Sequence, residues 1–339
     1  MSSFYLPLCD DARRYLDTHP LGEPDWEVPV SEARAISRAD LIAGGGPAED
    51  VASIEAVSAN GVPARLYWPS GKERVVLVWF HGGAWMFGDL DSYEAVVTAL
   101  ANAAHCAVLS VDYRLAPENR YPAAIDDCWS ATMWAFDHFD LVAVGGDSSG
   151  GNLGAAIAIR ARDEAKRLAM QFLVYPVLDW KPDSASYRAY RENYRNFAGY
   201  VGFGEQAQES IRHIWDVYIP EARRRSEPYA SPLRAPSLES VAPALIINAE
   251  HDILREEGEE YACRLRESGV PVSAYTYLGQ LHGFFSLLGV MQDSRDAVLR
   301  AAGYLTHYFQ ELEREGNSRN PESVSAKPNH REFQQKVDE

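Results

Sequence analysis

From residue 141 to residue 167 three patterns follow one another without a spacer. They are the apolar run 141–144, the turn Gly145-Gly146-Asp147-Ser148-Ser149-Gly150-Gly151, and a stretch rich in small residues. The first reads as a short buried strand and the third as a helix. A chain that passes from strand to helix through so glycine-rich a segment makes a sharp turn, which glycine enters with little steric penalty. Ser148 has Gly146 two residues before it and Gly150 two after. That is the G-x-S-x-G spacing in which a strained turn exposes a serine and the following helix aims its positive end at it. Ser149, flanked at the same distances by Asp147 and Gly151, does not fit. The other use of such glycines, a phosphate cradle, calls for G-x-G-x-x-G after a first strand, whereas this turn follows the fifth.

The rest of the chain repeats the alternation. Strands are expected at 53–58, 63–68, 75–80, 106–111, 141–144, 171–175, 244–249 and 272–277, with helices at 93–104, 122–138, 150–167 and 255–268. A last helix over 294–313 is marked by Val298, Ala302, Leu305, Phe309 and Leu312 at helical spacing. Such alternation predicts an α/β fold: an eight-stranded, mostly parallel sheet with helices on both faces. The short Asn60-Gly61 link makes the first two strands an antiparallel hairpin at one edge. Two segments break the pattern. Residues 1–48 are helical and polar and end at Gly44-Gly45-Gly46-Pro47; residues 180–228 interrupt the step from the sixth to the seventh strand. The second break concentrates aromatics, among them Trp180, Tyr187, Tyr190, Tyr194, Phe197, Tyr200, Phe203, Trp215 and Tyr218. They read either as the core of a small helical subdomain or as a lid over an apolar ligand pocket. The expected organisation is therefore a core of 49–179 and 229–314, a cap from 1–48 and 180–228, and a polar, disordered tail over 315–339.

Charge narrows the partners. The 32 Lys and Arg residues against 49 Asp and Glu give a net charge of −17, which argues against nucleic acid or an anionic membrane surface. Cys9, Cys106, Cys128 and Cys263 show no paired spacing, so neither a disulfide framework nor a metal site is expected. No signal-peptide core and no run of membrane-spanning length is legible, and a cytoplasmic location is expected. The last helix and the eighth strand are candidate edges for a homodimer.

A nucleophilic serine needs a base, and the base needs an acid to orient it. In this architecture both follow the serine, at the ends of later strands. Of the nine histidines, His282 occupies that position, after the eighth strand in Gly279-Gln280-Leu281-His282-Gly283-Phe284. His81 precedes the serine, and His251 abuts the candidate acid. That acid is Asp252, after the seventh strand; its rival is Asp179, after the sixth, which reads better as tying down the aromatic insertion. Backbone donors for an oxyanion are expected from His81-Gly82-Gly83-Ala84-Trp85, after the third strand, and from the N–H of Ser149. Candidate pocket residues are Trp85, Tyr194, Tyr200 and Phe203.

Taken together, these blocks resemble the hormone-sensitive-lipase family of α/β-hydrolase carboxylesterases over roughly residues 50–312. His81-Gly82-Gly83-Ala84-Trp85 looks like its HGGG-[FW] loop, Asp112-Tyr113-Arg114-Leu115-Ala116-Pro117-Glu118 like D-Y-R-L-A-P-E, and Gly146-Asp147-Ser148-Ser149-Gly150-Gly151 like G-D-S-A-G-G. Asp252-Ile253-Leu254-Arg255-Glu256-Glu257-Gly258 looks like D-x-L-R-D-E-G, and His282-Gly283-Phe284 like H-G-F. The resemblance implies a cofactor-free triad of Ser148, Asp252 and His282, oxyanion donors in the Gly82–Gly83 region and at Ser149, and a cap built from the two breaks in the pattern. Ala84 stands where the family has a third glycine and Ser149 where it has alanine. The expected reaction is hydrolysis of short- to medium-chain acyl esters. A dedicated deacetylase or amidase would use the same residues, and a non-catalytic ligand receptor would share the fold.

Overall fold

A computed structural model describes residues 7–18, 28–71, 73–181, 183–184, 186–187 and 207–319. Its strands are β1 (Ser53–Ala59), β2 (Val62–Trp68), β3 (Val75–Phe80), β4 (Ala107–Val111), β5 (Leu141–Asp147), β6 (Gln171–Val174), β7 (Ala244–His251) and β8 (Val272–Leu281). They form one sheet in the order β1-β2-β4-β3-β5-β6-β7-β8. β2 runs antiparallel to both β1 and β4, and all later pairings are parallel. The sequence reason is visible strand by strand. β3 (VVLVWF) and β4 (AVLSV) are buried along their whole length, as both-face coverage demands, whereas edge strand β1 alternates exposed with half-buried positions.

The helices are α1 (Asp10–Thr18), α2 (Val30–Gly45), α3 (Glu94–Ala104), α4 (Ala123–His138), α5 (Ser149–Asp163), α6 (Ala207–Tyr218), α7 (Arg255–Glu267) and α8 (Gln292–Arg319). On one face α3, α8 and α1 bury Leu100, Leu305 and Leu16 in a single cluster with Trp79 and Phe172 of the sheet. On the other, α4, α5, α7 and α6 bury Ile125, Ile157, Leu265 and Trp215. Trp79, fully buried one residue before the end of β3, lies 5.7 Å from Phe172 and 6.1 Å from Phe285, ring centre to ring centre. Phe285 is three residues past His282, so the core itself anchors the loop that carries the candidate base.

Two differences from the sequence reading matter. β8 continues four residues beyond the expected 277, so His282 follows the strand directly instead of lying at the end of a loop. The extension depends on a register shift between Ala249 and His251 and on Gly279, whose φ of +73° a side chain would resist and whose N–H donates to Glu250 Oε2 at 2.7 Å. The fifth helix ends at Asp163, short of the expected 167, because Ala165 turns to φ +54°. Of the expected tail, residues 315–319 continue α8 and the remainder lies outside the described residues.

Candidate active site

β5 ends at Asp147 and α5 begins at Ser149, which leaves Ser148 alone at the turn with φ +54° and ψ −116°. A non-glycine residue there is strained, and the surroundings hold it in place. Its N–H donates to the Val174 carbonyl at 2.8 Å, and its own carbonyl accepts from the N–H groups of Asn152 and Val177. A Cβ at Gly146 or Gly150 would overlap the Phe80 carbonyl, so the end of β3 passes hard against the turn. That contact is the physical requirement behind both glycines.

The acid and base arrive from the neighbouring strands. Asp252 follows β7 and is almost fully buried; its Oδ1 accepts the Leu254 N–H at 2.8 Å. His282 Nδ1 donates to Asp252 Oδ2 at 2.7 Å, and His282 Nε2 lies 2.9 Å from Ser148 Oγ. The structure thus brings these three residues into one hydrogen-bonded chain. Burial opposes the charged imidazole, but the Asp252 charge and hydrogen bond, helped by Asp147, outweigh it and raise the His282 pKa above its ordinary value. Asp179, the rival acid, instead forms a bidentate pair with Arg234, at 2.7 Å on each arm. His251 is buried beside Asp252.

The loop after β3 departs from the expectation for Gly82. Its N–H is not free for an oxyanion: it donates to Asp147 Oδ1 at 2.9 Å. A Cβ at position 82 would lie 2.5 Å from Asp147 Oδ2 and 2.8 Å from Tyr93 Oη, so this glycine makes room for the carboxylate. The next peptide is turned the other way. His81 Nδ1 lies 2.8 Å from the Gly82 carbonyl, which can only accept, so the ring carries its proton there. Burial pushes the His81 pKa down to about 4, which keeps that ring neutral. With Gly82 C=O turned to His81, the trans peptide directs the Gly83 N–H to the opposite side. Gly83 and Ala84 line the same cavity as Ser148. Ser149 contributes the first N–H of α5, one of the four that a helix leaves without an internal partner. Ala84 and Trp85 both adopt positive φ, +54° and +58°. With the Gly82 N–H taken by Asp147, the candidate donors beside Ser148 are the N–H groups of Gly83, Ala84 and Ser149. Ala84 lies within the expected donor loop 81–85, and its departure from glycine removes no N–H, since every non-proline residue offers one.

Two cavities open beside Ser148 and His282. The larger, about 640 Å³, lies between α2, the 83–87 loop and α6, with Val30, Leu41, Met86, Phe87, Ile214 and Val217 among its walls. The smaller, about 40 Å³, is walled by Trp85, Val177, Ile211, Trp215, Ile253 and Leu254. Trp85, named from sequence as a pocket residue, lies on this smaller wall and stacks on Tyr218 with ring centres 4.2 Å apart. Tyr194, Tyr200 and Phe203 lie outside the described residues. Helix α2 is fastened over the site by Arg34, whose guanidinium donates to the Met86 and Ala116 carbonyls and to Glu118. No helix among the described residues is long and apolar enough to cross a membrane.

Residues 77–286 match a family described as having the alpha/beta hydrolase fold. The chain is 35% identical over 257 residues to an arylesterase of Saccharolobus solfataricus, covering 74% of this chain and 80% of that protein. It is 34% identical over 263 residues to the carboxylesterase NlhH of Mycobacterium tuberculosis, covering 72% and 77%. Among solved structures, an esterase of Pyrobaculum calidifontis superposes with a TM-score of 0.79 at 32% identity, over 89% of this chain and 99% of that one.

Proposed function

Because the chain belongs to the hormone-sensitive-lipase family of α/β-hydrolase carboxylesterases, we propose that it hydrolyses short- to medium-chain acyl esters of small molecules through an acyl-enzyme on Ser148. The observation that carries this reading is the 2.7 Å and 2.9 Å relay from Asp252 through His282 to Ser148 Oγ, at the junction of two cavities. His282 Nε2 takes the hydroxyl proton as Oγ attacks the ester carbonyl. The N–H groups of Gly83, Ala84 and Ser149 stabilise the resulting oxyanion. The same imidazolium then protonates the leaving alcohol, and water, deprotonated by His282, cleaves the acyl-enzyme. Asp252 fixes the tautomer and stabilises the positive charge formed on the ring.

The cavities support an ester with two unequal arms. A water needs roughly 10–15 Å³ of such volume, so the smaller cavity, of about 40 Å³, fits a group of a few heavy atoms. The larger one accepts a bulkier apolar group. The test is hydrolysis of p-nitrophenyl acetate and butyrate by the wild type and by Ser148→Ala, with fluorophosphonate labelling of the serine. Turnover and labelling are expected in the wild type alone. Activity of Ser148→Ala above background would refute the assignment.

A further inference from the structure

Asp147 stands one residue before the nucleophile, is buried, and takes no part in the relay just described. Its carboxylate nevertheless joins three segments of the site. Oδ1 accepts the Gly82 N–H at 2.9 Å; Oδ2 accepts from Tyr93 Oη at 3.0 Å and from Ser286 Oγ at 3.4 Å. Gly82 belongs to the oxyanion loop, Tyr93 precedes α3, and Ser286 lies four residues past the base. The other end of the same peptide is held too, since Tyr113 Oη donates to the His81 carbonyl at 2.7 Å. Peptide 81–82 is therefore pinned at its N–H by Asp147 and at its C=O by Tyr113. Peptide 82–83 is pinned at its C=O by His81, which leaves only its N–H to point away. The missing side chain at Gly82 lets the carboxylate lie directly against the backbone.

We propose that Asp147 is a positioning residue for ester hydrolysis: by holding the Gly82 N–H it fixes the plane from which Gly83 and Ala84 present their N–H groups to the oxyanion. Preorganised donors stabilise a transition state because they need not reorient as charge develops. Loosening one anchor lets the donors drift, and a misplacement of about 1 Å costs on the order of 10²-fold. The role is acceptance of one hydrogen bond, so it needs an acceptor atom and not a charge.

The proposal rests on the esterase reading, and the experiment separates the two. Full-length wild type, Asp147→Ala and Asp147→Asn are compared for kcat and KM on p-nitrophenyl butyrate, and for inhibition by an alkyl trifluoromethyl ketone, whose adduct with Ser148 carries an oxyanion. Fluorophosphonate titration counts competent serines in each. Asp147→Ala is expected to lose about 10²-fold in kcat and a matching factor in ketone affinity, with KM within about threefold of wild type. Asp147→Asn keeps an acceptor for Gly82 and should stay within about fivefold of wild-type kcat. Its acid limb should move to lower pH, because one of the charges that raise His282 is gone. His282, Tyr93, Tyr113 and Tyr175 are the titratable groups facing this carboxylate. A fully titrated alanine variant with near wild-type kcat, or an asparagine variant 10²-fold down, overturns the proposal. The asparagine arm decides the matter if the alanine variant does not fold. A wild type without Ser148-dependent hydrolysis overturns the esterase reading, and the proposal with it.

Discussion

At the scale of single residues, two ionisable groups set the expected pH behaviour. In the proposed mechanism only neutral His282 can take the serine proton. Burial would favour that form, but the charge and hydrogen bond of Asp252, with the charge of Asp147, prevail and raise the pKa. Hydrolysis should therefore fall on acidification with a midpoint above the ordinary histidine value of 6.5, and Asp252→Asn should move that limb to lower pH; a kcat/KM profile on a neutral ester measures both. Asp147 is pushed up to about 6, chiefly by desolvation, against its ordinary 3.8. A carboxyl whose folded pKa is raised contributes its full stability below the unfolded value and loses it as pH rises through the folded one. Keeping Asp147 ionised at pH 7 then costs the fold on the order of 3 kcal/mol. Asp147→Asn should accordingly raise the melting midpoint at neutral pH and show little gain at pH 4, which thermal melts at the two values would check. Little of this was legible in the sequence. The motif contained Asp147, but whether its carboxylate faced solvent, substrate or the Gly82 backbone depended on loops remote in the chain. Ser148, Asp252 and His282 could be singled out beforehand because each stands at the end of a strand.

At the scale of elements, the strands were read closely because fully buried parallel strands are short apolar runs bounded by glycine and polar turns. β3 was read to the residue, and β7 to within two at its end. The extension of β8 was not, since Leu278-Gly279-Gln280-Leu281 lacks an apolar run and is held as strand by pairing with β7 and by the Glu250 contact. Helix α2 was expected only as part of a polar N-terminal region; its attachment to the site through Arg34 belongs to tertiary structure. Hydrogen bonds from a charged donor contribute about 1.5–3 kcal/mol each, and Arg34 donates two to backbone carbonyls, of Met86 and Ala116. Arg34→Ala should loosen α2, raising KM for esters with a large apolar arm more than it lowers kcat. Helix α6 sets the other wall. Ile211 and Trp215 close the small cavity, so Ile211→Ala should lengthen the arm accepted there by one or two carbons, seen as a shift in preference across an acyl-length series. An unchanged series would assign that wall no part in selectivity.

At the scale of the whole molecule, the net charge of −17 surrounds a site whose large cavity is mostly apolar. A field of that sign repels anions over roughly a Debye length, about 10 Å at 0.1 M salt. Esters bearing a carboxylate should therefore show kcat/KM rising with ionic strength, while neutral esters of the same size stay flat; steady-state kinetics between low and moderate salt distinguish the two. The architecture was legible in the order of short apolar runs and helical patterns, because a strand-helix alternation of this length can bury both faces of its sheet in few ways. The sequence by itself also determined which residues stand at the sheet's working edge, since chain order fixes the residues that come after each strand. Only the tertiary structure decided which backbone N–H groups of the 82–83 loop are already taken, and so which the proposed oxyanion site can use. Gly82 and Gly83 are alike as sequence, and they are separated by a carboxylate at position 147 and an imidazole at position 81 that turn two adjacent peptide planes in opposite directions. Hydrogen-bond direction is a property of assembled loops, and no local pattern of residue types encodes it.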